Sequence, residues 1–181
     1  SPDKNKVAAS VLTKIYVMDI DGKNLKRLTN SNQNEFKPIW SPDGRGIAYT
    51  TWSHARGGHI YKMRSDGKGK PKQLTGIEAF YTDLAFSPDG SMIVAMRGNE
   101  LLRNQTFTEF GGLRIPLELI SLPVKGGEQT VIKALDSGRY PHFGPEADRV
   151  YLTGDDGLFS LTLSGTDYRD EMTVNAPRGN R

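Results

Sequence analysis

Three groups of residues have types and spacings that do chemistry in other proteins. Asp19-Ile20-Asp21-Gly22-Lys23-Asn24 opens like a calcium-binding loop. An EF-hand loop also needs a bidentate Glu at its twelfth position and a helix on either side. The twelfth position counted from Asp19 is Asn30, and both flanks read as strands, so the segment is read as a hairpin turn. The histidines are His54, His59 and His142. None belongs to an HxH or HExxH pair, so a histidine metal site would need ligands gathered from separate repeats. His142 follows Pro141 in an apolar stretch and is read as lining a channel. Gly67-Lys68-Gly69-Lys70-Pro71-Lys72 is basic, yet it lacks the strand-loop-helix setting of a phosphate cradle and is read as a solvated hairpin loop. The sequence contains no GxSxG elbow, P-loop or GxGxxG fingerprint. No catalytic residue, cofactor or metal ligand is assigned.

Two further groups suit contact rather than catalysis. Trp52, His54 and His59 fall on one loop, and Phe107 and Phe110 fall in an irregular stretch from Arg97 to Pro116. Aromatic and titratable side chains in irregular segments are frequent binding residues. Packing within the fold competes as the role of the two Phe, because large apolar side chains are usually buried.

The elements that must carry these residues repeat. Trp40-Ser41-Pro42-Asp43-Gly44 recurs as Phe86-Ser87-Pro88-Asp89-Gly90, as Ser1-Pro2-Asp3, and in worn form as Phe143-Gly144-Pro145-Glu146-Ala147-Asp148. Pro presets φ, Asp bonds its own backbone and Gly accepts positive φ, a combination suited to a tight turn between two strands. A second hairpin follows each copy: Ile15 to Thr29 through Asp21-Gly22, Ile60 to Thr75 through Asp66-Gly67, Leu117 to Ile132 through Gly126-Gly127, and Leu158 to Val174 through Ser164-Gly165. Each unit therefore holds four short strands. Four-stranded units of roughly 40–45 residues signal propeller blades. The expected fold is all-β: a β-propeller of four-stranded antiparallel blades, about four repeats, partial, with the first blade lacking its first strand. Its segments are residues 1–34, 35–78, 79–134 and 135–175, followed by a tail at 176–181.

Composition narrows the classes. With 181 residues, 36% hydrophobic and 9% aromatic, the chain can bury a core. No apolar run approaches the ~20 residues of a membrane-spanning helix. A net charge of +3 with interspersed signs and no nucleic-acid-binding motif sets nucleic acid aside as a partner. The absence of cysteine excludes disulfides and thiolate metal sites. No signal peptide is visible, and since the sequence starts inside a repeat motif a leader could have been lost upstream.

The pattern aromatic-Ser-Pro-Asp-Gly, then Ile47-Ala48-Tyr49, then Ile60-Tyr61-Lys62-Met63 with Asp66-Gly67 and Leu74-Thr75, resembles the TolB-like β-propeller repeat. Such repeats occur in TolB, in tricorn-type and prolyl-peptidase-type propellers and in large secreted amidohydrolases. The segments Leu117-Glu118-Leu119, Pro123 to Glu128, Pro141-His142-Phe143, Asp148 to Leu152 and Gly165 to Arg169 look most like the amidohydrolase propellers. In that group the propeller precedes a metal-dependent hydrolase barrel, whose HxH motif does not occur in these residues. The resemblance implies a non-catalytic binding or scaffold module, periplasmic or secreted, from an exported amidohydrolase. Two alternatives stand beside it: a propeller that gates an adjacent hydrolase domain, and a TolB-type envelope interaction propeller. An arc of this kind is expected to be a portion of a longer protein or to self-associate through its open blade faces.

Overall fold

The structure, a computed structural model, describes residues 1–99, 116–136 and 138–174. Phe107, Phe110, most of the 97–116 insertion and the 176–181 tail lie outside the described residues.

The described residues form strands without helices, arranged as four antiparallel meanders. The first sheet holds β1 (Lys6–Val11), β2 (Lys14–Asp19) and β3 (Lys26–Arg27). The second holds β4 (Asn34–Trp40), β5 (Gly46–Trp52), β6 (Ile60–Arg64) and β7 (Lys72–Gln73). The third holds β8 (Phe80–Phe86), β9 (Met92–Gly98), β10 (Leu117–Pro123) and β11 (Thr130–Leu135). The fourth holds β12 (Arg139–Phe143), β13 (Arg149–Thr153), β14 (Gly157–Thr162) and β15 (Arg169–Thr173). The strand order in every sheet is the chain order. The first strands of the complete sheets lie side by side, β4 against β8 and β8 against β12, while β1, β5 and β9 each pack on the first strand of the next sheet. This is the partial propeller that the repeats imply, an arc of about four blades with three strands in the first.

Strand alternation divides the core. Ile47 and Tyr49 of β5 join Ile15, Val17 and Met63 between the first and second sheets. Their neighbour Ala48 points the other way, into the cluster of Ile60, Leu84, Ile93, Ala95 and Ile120 between the second and third. In β9, Val94 and Met96 turn toward Leu119, Val150, Leu152 and Leu161 of the last interface. Covered on both faces, β5 is buried along its whole length. Burial of one such Leu or Ile contributes about 1.5–3 kcal/mol, so each interface holds its neighbouring sheets together.

The turns do what their residues predict. Ser41 Oγ donates to Asp43 Oδ1 at 2.6 Å and accepts the Gly46 N–H at 2.8 Å. Ser87 repeats this with Asp89 at 2.6 Å and Met92 at 3.0 Å, and Ser1 with Asp3 at 2.5 Å and Lys6 at 2.9 Å. Gly44 and Gly90, at φ of 69° and 70°, close these turns. The worn fourth copy has a different solution. A Cβ on Gly144 would meet the Tyr151 ring at 2.5 Å, so the ring fills the space that a Ser side chain needs. The buried Arg149 guanidinium takes over the bracing: Nε donates to Glu146 at 3.2 Å, and Nη1 donates to Ser160 Oγ and the Asp167 carbonyl at 2.9 Å each.

Sheets also interlock at their outer hairpins. A Cβ added to Gly165 would lie 2.2 Å from the Ile132 carbonyl of the preceding sheet; at Gly67 it would meet the Leu28 side chain at 3.1 Å, and at Gly126 the Leu74 carbonyl at 3.5 Å, an ordinary contact. The loop after Trp52 is tied down. Ser53 N–H bonds Gly57 O at 2.8 Å, and Gly58 N–H bonds Ala79 O at 2.9 Å, which pins the loop to the start of the next sheet.

Candidate functional site

The first strands of the three complete sheets share a defect. Their pairing with the following strand slips between Phe36 and Ile39, between Thr82 and Ala85, and between Arg139 and His142. Each slip leaves two bulged residues: Lys37-Pro38, Asp83-Leu84 and Tyr140-Pro141. In each pair the first residue is left-handed, with φ of 49° at Lys37, 51° at Asp83 and 56° at Tyr140. A non-glycine residue held there costs on the order of 1 kcal/mol or more, and bulges re-aim side chains. Because β4, β8 and β12 lie together, the three re-aimed side chains converge.

Lys37, Asp83 and Tyr140 line one cavity of ≈ 450 Å³, together with Ile39, Leu84 and His142 and the two bulge prolines. Lys37 Nζ donates to Asp83 Oδ1 at 2.5 Å and sits 5.9 Å from the centre of the Tyr140 ring. The Asp83 side chain is only 4% exposed and that of Lys37 is 50% exposed. A buried carboxylate needs a partner, and it has Lys37 and the Thr82 hydroxyl, which donates at 3.2 Å. Tyr140 is 65% exposed. His142 Nδ1 lies 3.1 Å from the Tyr140 carbonyl, which only accepts, so Nδ1 carries the proton. The His142 ring stacks on Tyr151 with centroids 5.7 Å apart. The arrangement is a fixed ammonium beside an exposed aromatic ring over an apolar floor. Lys37 keeps two N–H donors beyond the one given to Asp83, so the seat can hold a hydrogen-bonding or anionic group next to an apolar one.

Of the residues chosen from sequence, the described ones, Trp52, His54 and His59, lie elsewhere. Trp52 is 8% exposed, its ring edge-on to Phe80 at 5.4 Å and to His54 at 6.4 Å, so it packs between sheets and presents little surface. His54 is exposed. His59 is half-buried, with Nδ1 3.1 Å from Thr75 Oγ1. His142 does reach the inner cavity, as its place in the repeat suggested. The calcium-like segment is a turn: Asp19 accepts from Lys6 and from Asn24 at 2.6 Å each, and Asp21 accepts from the Lys23 N–H at 3.0 Å. Among the described residues no group of three or more His, Asp and Glu is placed to hold a metal ion. Sequence reasoning missed Lys37 and Asp83, whose one signal was Pro38 inside a strand, repeated at Pro141.

Over residues 1–112 the sequence matches the TolB beta propeller domain. It is 40% identical over 53 residues to the Tol-Pal system protein TolB of Thioalkalivibrio sulfidiphilus, which is 29% of this chain and 12% of that protein. The structure is similar to an oligogalacturonate lyase in complex with manganese, with a TM-score of 0.69 at 17% identity, covering 95% of this chain and 50% of that one. It is also similar to TolB from Acinetobacter baumannii, with a TM-score of 0.64 at 22% identity, covering 96% and 43%. The chain thus spans half or less of the length of each, and at these identities the structural likeness concerns the fold. A family match over more than half the sequence, on a fold built from those same repeats, makes this chain a member of the TolB β-propeller domain family.

Proposed function

We propose that the chain is a non-catalytic propeller module that binds a partner protein at the axial cavity. The observation that carries this reading is the convergence of three left-handed, non-glycine bulge residues, Lys37, Asp83 and Tyr140, on one cavity. Backbone strain repeated in three sheets and filled with three different polar side chains supports a binding role better than a packing role. The match to a protein of the Tol-Pal system favours a protein partner in the cell envelope, with the chain periplasmic or secreted. The accessory role beside a hydrolase domain rests on repeat resemblance alone.

The test is capture from a solubilised envelope fraction by the chain and by its Tyr140→Ala variant. Tyr140 is exposed, so the variant keeps the fold. The expected result is an envelope protein retained by the parent chain and lost with the variant. Equal retention by both, or none by either, overturns the axial assignment.

A further inference from the structure

The basic hairpin of the second sheet belongs to a longer row of cations, on the outer strands and away from the axial cavity. Lys26 of β3 pairs with Val17, and Lys72 of β7 pairs with Lys62, matching places in successive sheets. Each reaches forward to the hairpin of the next sheet. Lys26 Nζ donates to the Asp66 carbonyl at 2.8 Å, and Lys72 Nζ donates to the Lys125 carbonyl at 2.6 Å. The hairpins so reached add Lys68, Lys70 and Lys125, and all of these lysines are exposed. None of them pairs with a carboxylate of the described residues. The acids beside them are otherwise engaged: Asp21 holds Lys23 Nζ at 2.9 Å, and Asp66 holds Arg64 Nη2 at 2.6 Å. Glu128 is the only acid of the third hairpin. The row ends there. In the matching hairpin of the fourth sheet, the Ser164 and Thr166 hydroxyls bond each other at 2.8 Å, and Arg169 beyond them is paired with Asp167 at 2.6 Å.

We propose that this row docks the module on an anionic membrane surface, with its lysines among the phosphates of the lipid headgroups. The proposal rests on these outer hairpins alone and not on the axial reading. Lysine is a compact charge on a flexible stem, which suits a field of point phosphates better than one fixed, forked site. Two further observations select a membrane over other polyanions. An exposed apolar residue stands directly before each of the matching lysines, Leu25 before Lys26 and Pro71 before Lys72. Pro71 is exposed although other sheets pack on both faces of its own. Apolar groups beside ammonium groups fit an interface in which hydrocarbon lies just beneath charged headgroups. The hairpins at 22–26, 67–72 and 123–129 also contain no aromatic residue on which a nucleic-acid base would stack.

The probe is co-sedimentation of the 181-residue chain with sucrose-loaded vesicles of phosphatidylcholine containing about one-third phosphatidylglycerol. Saturable binding that weakens as salt rises is expected. Lys68→Gln combined with Lys70→Gln should weaken it about 25-fold, at about fivefold for each charge removed. Both side chains are exposed and bond to nothing, so the fold persists, and circular dichroism checks this. The control is Lys14→Gln combined with Arg56→Gln, which removes the same charge. Lys14 opens β2 and Arg56 precedes β6, at the ends of those strands away from the lysine hairpins. The control should bind within about twofold of the parent chain, because the attraction fades within a Debye length. The proposal is overturned if the vesicles do not bind, if vesicles of phosphatidylcholine alone bind as well, or if both double variants lose binding equally. It is also overturned if a short duplex DNA binds more tightly than the anionic vesicles at the same salt, which would assign the row to nucleic acid.

Discussion

The Ser-Pro-Asp-Gly turns and the inner-strand bulges recur with the same period, yet they treat their residues in opposite ways. Turn positions keep their side chains: Ser1, Ser41 and Ser87 each bond an Asp two residues on and accept a backbone N–H. Bulge positions keep only their backbone, and the left-handed residue is Lys37 in one sheet, Asp83 in the next and Tyr140 in the third. At the turns the side chain makes the geometry. At the bulges the surrounding sheet makes the geometry, which leaves the side chain open to specialise. The lesson is that in a repeat protein, sequence constancy marks the scaffold, while constant geometry with varied residues marks the surface available for recognition.

That contrast can be broken most forcefully at the ion pair. Lys37→Met strands the buried Asp83 carboxylate and should cost about 3 kcal/mol in denaturant unfolding. If the pair serves recognition rather than stability, Lys37→Met combined with Asp83→Leu should recover most of that loss. A double variant as unstable as the single one would make the pair part of the scaffold. Next in size is the turn. Ser87→Ala removes the acceptor of the Met92 N–H and the donor to Asp89 and should cost about 1–2 kcal/mol. Tyr140→Gly should run the other way, with stability unchanged or raised by about 0.5 kcal/mol, because glycine accepts φ of 56° without strain. A loss above about 1 kcal/mol would show that Tyr140 holds the sheets together.

The smallest effect is in acid. The Ser87 hydroxyl, followed by the Ser91 N–H, holds the Asp89 carboxyl down to about 2, against an ordinary value of 3.8. A folded value below the unfolded one gives stability that is present above the ordinary value and lost as pH falls toward 2. Asp89→Asn should therefore flatten the acid limb of the stability curve between about pH 4 and 2. An unchanged slope would assign that limb to other carboxylates.

The turns were legible because their chemistry is local: Ser41, Asp43 and Gly44 form their bonds within five residues of each other. The second hairpins were legible for the same reason. The bulges were not, since no turn residue marks Lys37, Asp83 or Tyr140, and their strain is imposed by neighbouring sheets. Pro38 and Pro141 at matching repeat positions were the available hint. Charge misled in another way. Glu35 and Arg149 look like surface residues in the sequence, but both are buried. Glu35 accepts from Thr29 and Ser31 and from the Ile15 N–H, which joins the first sheet to the second. Burial of a charged residue with all of its partners in place has no signature in residue type. Trp52 shows the converse: read from the sequence as part of a loop, it instead ends β5 and packs inward against Phe80.

The hairpin glycines bear on how such a protein changes over generations. Gly67, Gly126 and Gly165 each dock against the preceding sheet at the same place, while the corresponding position at Gly22 has nothing within 4 Å. Each of the three later repeats therefore seats its hairpin glycine on the repeat before it. A duplicated or deleted copy of the repeating unit would inherit a working joint on both sides, so this architecture can gain or lose a unit in one genetic event without the invention of a new interface.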